Sequence, residues 1–131
     1  MLKRIFPLLV LAPMALVLSG CTDPIPAYDD PIVEYPQVHV DSYSLQNSIR
    51  VHKPIVTRFG AGQLQVDVPI RNLTDSDLSV DYIYYFMNNR GIQIGDPVVA
   101  YQRIPRKGIG QLEFKSLSAV DDFRVEIRDA K

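Results

Sequence analysis

The sequence predicts an all-β protein, an antiparallel β-sandwich of immunoglobulin-like type with about seven short strands, behind a leader and a Pro-rich tether. Three observations predict it. Residues 63–70 and 123–128 alternate apolar and polar side chains with a period of two, as half-buried strands do. Turn signals made of Gly, Asn, Asp and Pro recur about every 8–12 residues. No segment sustains a helical period.

Composition bounds the rest. The chain has 131 residues, 47% apolar and 22% charged, with net charge −1, one Cys, two His, ten Pro and no Trp. That length suits one domain. The balance excludes a disordered chain, a coiled coil and a basic nucleic-acid binder. One cysteine excludes a disulfide framework and a thiolate zinc site.

The apolar residues are concentrated at the start. Residues 1–20 hold 14 apolar residues, opening with Lys3 and Arg4 and running apolar from Ile5 to Leu18 except for Pro7 and Pro13. A basic start, an apolar run and a small-residue end are the parts of a secretory signal. The run is short for a membrane span, and its prolines weaken it further.

The segment ends Leu18-Ser19-Gly20-Cys21, which resembles the bacterial lipobox. The resemblance implies cleavage between Gly20 and Cys21. It also implies a diacylglycerol on the Cys21 thiol and an N-acyl chain on the new terminus, with no other cofactor. Two or more acyl chains hold a protein stably on a bilayer. Thr22 follows the cysteine and Asp23 comes one place later. In the enterobacterial sorting pattern this favours the outer membrane, with the domain in the periplasm. From residue 21 onward there are 12 basic and 15 acidic residues, net −3. No polybasic patch grips lipid or nucleic acid, so the anchor must supply the membrane contact.

Residues 21–44 read as lipidated Cys plus tether, punctuated by Pro24, Pro26, Pro31 and Pro36. Proline favours extended backbone, and 22–44 would reach on the order of 60–70 Å at ~3.1 Å per residue. Ile25, Tyr28, Ile32, Val33, Tyr35, Val38 and Val40 make it more apolar than a spacer needs. Part of it is therefore a candidate for docking.

The β-domain is expected over 45–131. Residues 49–59 are β-branched and crossed by Pro54, which suggests an edge strand or a bulge. After Gly60-Ala61-Gly62, Leu64, Val66, Val68 and Ile70 share one face, with Pro69 on the other. Residues 71–77 are a polar turn. In 78–87, Val80, Tyr82, Tyr84 and Phe86 share one face, and Asp81, Ile83, Tyr85 and Met87 the other. Two apolar faces mark a strand covered on both sides or at an interface. Asn88-Asn89-Arg90-Gly91 is a hairpin signal. Residues 92–94 form a short return strand, Gly95-Asp96-Pro97 a turn, and 98–104 a further strand. After a turn at 105–108, residues 109–117 form another strand. Ser118 is placed to cap one helical turn over 118–121. Phe123, Val125 and Ile127 define the last strand.

The stretch from Arg58 to Arg128 resembles the YcfL-like lipoproteins of Gram-negative bacteria, a family with no assigned activity. Matching residues are Arg58-Phe59-Gly60, the strand around Gln65-Val66, Asn72-Leu73-Thr74-Asp75, the aromatic strand before Gly91, and Asp122-Phe123-Arg124-Val125-Glu126-Ile127-Arg128. Members usually carry a Trp in the aromatic strand and an Asp near its turn; Phe86 and Asn88 stand in those places here. The resemblance implies a β-sandwich on the periplasmic side of the outer membrane and no catalytic residues.

Chemistry is sparse. His39 and His52 have no second ligand at metal spacing. No Gly-x-Ser-x-Gly elbow occurs. Asp121 and Asp122 are adjacent and would point oppositely on a strand. Asp75 and Asp77 read as turn formers. Gly60-Ala61-Gly62 and Gly108-Ile109-Gly110 open strands rather than helices, so neither cradles phosphate. Asn72-Leu73-Thr74 matches a glycosylation sequon but reads as a turn. No catalytic or metal site is assigned.

Two surfaces are candidate partner contacts: Ile83, Tyr85 and Met87 on the aromatic strand, and the basic loop of Arg103, Arg106 and Lys107. The expectation is a non-enzymatic envelope lipoprotein, an adaptor or structural accessory with an envelope protein partner. An anchoring lipoprotein of a trans-envelope secretion complex and a small-ligand or glycan binder are the alternatives.

Overall fold

A computed structural model describes residues 32–130. The predicted leader (1–20), the cleavage and lipidation positions Gly20 and Cys21, and tether residues 22–31 lie outside the described residues.

Along the chain come β1 (Val38–Val40), α1 (Tyr43–Ser48), β2 (Ile49–Val51), β3 (Ile55–Phe59), β4 (Gln63–Asn72), β5 (Leu78–Met87), β6 (Gln93–Ile104), β7 (Ile109–Lys115) and β8 (Asp122–Asp129). They form two sheets. One has the order β1-β8-β5-β6. In the other, β4 is central, with β2 and β3 along one edge and β7 along the other. All pairs are antiparallel except β1 with β8, where Val38 lies beside Val125 and Val40 beside Ile127. The fold is an all-β sandwich.

Alternation builds the core. Leu64, Val66, Val68 and Ile70 of β4 are at most 2% exposed. They meet Val80, Tyr82 and Phe86 of β5, Leu112 and Phe114 of β7, and Phe123, Val125 and Ile127 of β8. Leu45 of α1 and Ile49 of β2 complete the cluster. Phe114 is its aromatic hub. It stacks on Tyr84 at 4.6 Å, and Phe86 and Phe123 approach it at 5.9 and 5.7 Å. Offset and edge-on pairs at such separations add to the area term.

Several elements differ from the sequence expectation. The folded unit begins before residue 45, because β1 lies within the stretch read as tether. Val38 and Val40 pack against the core cluster while His39 is exposed. Helix α1 was not expected. At six residues it is too short to show a helical period. It forms because Ser42 caps it, accepting from Leu45 N at 3.0 Å, and because Leu45 is buried.

Residues 49–59 are two strands interrupted around Pro54. The register on β4 moves by one residue between Val51↔Ile70 and Ile55↔Asp67, which makes the interruption a bulge. Pro69 faces it, since its carbonyl accepts from His52 N at 2.9 Å. A strand residue's carbonyl and amide positions point to the same side. Proline's missing donor therefore falls on the interrupted edge, and the β4–β7 ladder runs through Pro69↔Gln111.

Residues 95–97 are not a turn between two strands but a bulge inside one twelve-residue strand, β6. Tyr84 pairs with Val98 and Phe86 with Ile94, so three residues of β6 oppose Tyr85 alone. Gly95, at φ 78°, supplies the left-handed conformation this requires.

Residues 118–121 make no helical turn. Their polar groups bond elsewhere: Val120 N to Gly62 O, and Asp121 N to Met87 O. Ser116, not Ser118, is the organising serine. It accepts from Leu64 N at 2.9 Å and donates to Ser118 O at 2.8 Å.

Candidate functional site

The residues of β5 that turn away from the core lie in the middle of the first sheet's outer face. Ile83 sits between Val99 of β6 and Glu126 of β8. Tyr85 faces Arg124, and Asp81 lies between Tyr101 and Arg128. Ile83 and Tyr85 are half-buried. Met87 departs from the expected contact set: at 8% exposed it is buried and has no contact surface to offer.

Val99 and Tyr101, which sequence reasoning missed, present more surface than any of these, at 65% and 59% exposed. The Tyr101 hydroxyl is fixed 2.7 Å from Ser79 Oγ. The signal that would have found them is parity. In β6 the residues 99 and 101 pair with the outward residues 83 and 81 of β5.

The same face carries a charged strip on β8. Asp122 and Arg124 pair at 3.0 Å, and Glu126 and Arg128 at 3.0 Å. Partners two apart on one strand lie on the same face. The face therefore divides into an apolar and aromatic half over β5–β6 and a self-neutralised charged half over β8.

The basic loop is not a separate anion cradle. Arg103 forms an ion pair with Asp77, whose other carboxylate oxygen accepts from Arg106 N at 2.9 Å. Lys107 Nζ donates to Leu73 O at 2.9 Å and lies 3.4 Å from Asp75. The amide of Arg106 and the Arg103 guanidinium hold the Asp77 carboxyl below the usual aspartate range. The acidic turn and the basic loop thus tie β4–β5 to β6–β7, and this is the work that Asp75 and Asp77 do.

The residues carrying the family resemblance have structural roles. Asn72 is fully buried, and its amide nitrogen donates to Ser76 O at 2.7 Å and Ile104 O at 3.2 Å. Its amide oxygen accepts from Thr74 N at 2.9 Å. Arg58 donates to Gly62 O and Val120 O. Phe86 fills the core. Asn88 accepts from the amides of Arg90 and Ile92 at 2.9 and 3.0 Å. A carboxylate would accept the same pair, so either residue can close the hairpin.

Burial pushes the Tyr82 hydroxyl above its ordinary range, with Tyr84 and Glu113 adding to the shift. That hydroxyl donates to Glu113 O at 3.3 Å and serves packing. Among the described residues no three His, Cys, Asp or Glu side chains converge as metal ligands, and no helix is long and apolar enough to cross a membrane.

Fold and surface define a small two-sheet sandwich with one half-apolar sheet face. No family profile matches the chain, and no curated protein does. Solved bacterial structures share the fold. One is the Campylobacter jejuni protein cj0090, at TM-score 0.61 and 21% identity over 73% of this chain and 100% of that one. Another is a DUF1425 family member from Shewanella, at TM-score 0.57 and 18% identity over 77% of this chain and 97% of that one.

Proposed function

We propose that the chain is a non-enzymatic lipoprotein of the cell envelope, held at the outer membrane through acyl chains on Cys21. It works as an adaptor whose protein partner docks on the outer face of β5 and β6. The observation that carries the docking reading is the exposure of Val99 and Tyr101 beside Ile83 and Tyr85. Aromatic anchors over an apolar patch, rimmed by charge, are the composition of a protein contact. The lipobox-like Leu18-Ser19-Gly20-Cys21 and the resemblance to the YcfL-like lipoproteins support the address.

The test is crosslinking in cells from a photoreactive residue at position 99, with partner capture compared between the parent and Tyr101→Asp. Capture by the parent and its loss in the variant is the expected result; equal capture by both sinks the docking face. Palmitate labelling should disappear in Cys21→Ala, and persistent labelling would overturn the anchor.

A further inference from the structure

Among the described strands, β3 alone has every residue exposed. Its Ile55 and Val56 are 53% and 48% exposed. Among the described residues β3 pairs only with β4, so its other edge is open. Open edges are ordinarily blunted by a charge, a proline or a bulge. β6 has both a bulge and Pro97. The charge in β3 is Arg58, and its guanidinium is turned aside to Gly62 O and Val120 O at 3.3 and 3.1 Å.

The direction of the main-chain groups follows from β4. His52 N bonds Pro69 O, and Ser116 N bonds Leu64 O. Odd-numbered residues of β4 therefore address β2 and β3, and even-numbered ones address β7. Ile55, Thr57 and Phe59 lie opposite Asp67, Gln65 and Gln63, so their amides and carbonyls are used on β4. Those of Val56 and Arg58 point out of the open edge.

We propose that β3 is a self-association edge, on which a second copy of this chain pairs its own β3 antiparallel about Thr57. Register selects that occupant. Bonds cross the edge only where outward-pointing residues face each other, which leaves registers centred on Val56, Thr57 or Arg58. Centring on Arg58 sets that charge opposite its own copy. Centring on Val56 sets Arg58 opposite Pro54, which has no amide to donate. Centring on Thr57 sets Val56 opposite the partner's Arg58, where each amide donates to the other's carbonyl, and symmetry repeats the pair. Thr57 then meets the partner's Thr57, and Ile55 meets the partner's Phe59; threonine pairs and aromatic with β-branched pairs both favour a sheet. Lys53 falls opposite the partner's Ala61, away from its own copy. The strand is complementary to itself in this register. The edge belongs to the sheet that does not contain β5 and β6, so the proposal is tested apart from the docking face.

Hydrogen exchange on the full chain separates the two sets of amides. Those of Thr57 and Phe59 should be slow at every protein concentration, because β4 holds them. Those of Val56 and Arg58 should slow about tenfold when roughly nine-tenths of the copies are paired. Val56→Pro removes an outward amide and leaves the bonds to β4 in place. It should raise the dimer dissociation constant roughly tenfold or more in analytical ultracentrifugation. Cys21 is the chain's cysteine, so Cys21→Ser gives a thiol-free background. On it, Thr57→Cys should crosslink to its copy under oxidation, since facing Cα atoms of such a pair lie about 4.5 Å apart, within disulfide reach. Ile55→Cys should crosslink when mixed with Phe59→Cys, and not alone. Fast exchange at Val56 and Arg58 at every concentration overturns the proposal. Protection there that does not depend on concentration would assign the edge to the chain's own leading residues, and protection found only in cell extract would assign it to a foreign strand. A dimer unmoved by Val56→Pro and without the Thr57→Cys crosslink would place association elsewhere. Each of these outcomes also overturns self-pairing at β3.

Discussion

β4 and β6 are the long strands of the two sheets, each with an inner and an outer face, yet they live in opposite surroundings. Every second residue of β4 is buried, from Leu64 to Asn72. In the twelve residues of β6 only Ile104 is buried, and the inward-facing Ile94 and Val98 remain 36% and 44% exposed. The difference is position. β4 has neighbours on both edges and the other sheet across its inner face, whereas β6 ends its sheet and overhangs the core. Periodicity identifies a strand and its two faces; neighbours decide how much burial those faces receive.

The strongest way to break this comparison is to cut equivalent methyl groups from both strands. Ile70→Ala in β4 should destabilise by about 2–5 kcal/mol in urea unfolding. Val98→Ala in β6 and the surface change Val99→Asp should stay within roughly 0.5 kcal/mol. Equal losses would show that β6 is packed as tightly as β4. Next in size is Asn72→Ala at the buried end of β4. It removes the buried donor to Ile104 O and the acceptor of Thr74 N, and should cost about 1–3 kcal/mol, read as a lowered melting temperature.

Tyr82→Phe probes the hydroxyl that ties β5 to Glu113, and should cost about 0.5–1.5 kcal/mol at neutral pH. It also carries a pH signature. The hydroxyl's folded pKa lies above its unfolded value, so the folded state keeps its proton longer, and stability falls as pH rises above about 10. Unfolding scans across that range should show the decline in the parent and a shallower one in Tyr82→Phe. The smallest effect belongs to Asp77, beneath the start of β6–β7. Its folded pKa is lowered, so its contribution is present above the ordinary aspartate range and fades as pH falls through the folded value. Asp77→Asn should lower neutral stability slightly and flatten the acid limb of the stability curve, parent and variant converging once the pH lies below the folded value.

The strands were legible where one rule acted alone. Leu64, Val66, Val68 and Ile70, and Phe123, Val125 and Ile127, are the alternating sets that the core uses. Legibility failed where two rules met. Val38 and Val40 were hidden among prolines, and only pairing with β8 makes them a strand. Gly95 and Pro97 are turn residues by local preference, and the ladder with β5 overrode that preference by absorbing them as a bulge. On the outer face, Ile83 and Tyr85 were readable from their own strand. Val99 and Tyr101 were not, because their face depends on a register set across the hairpin by Asn88. The basic loop looked free because its aspartates lie some thirty residues earlier in the chain.

The bulge in β6 also bears on solubility. An edge strand with Ile94, Val98 and Val99 exposed is a template on which another chain can pair. Three residues set against one bend the strand, and Pro97 has no amide to offer. The edge is thereby divided into two stretches, each shorter than the continuous ladder that a joining strand would need.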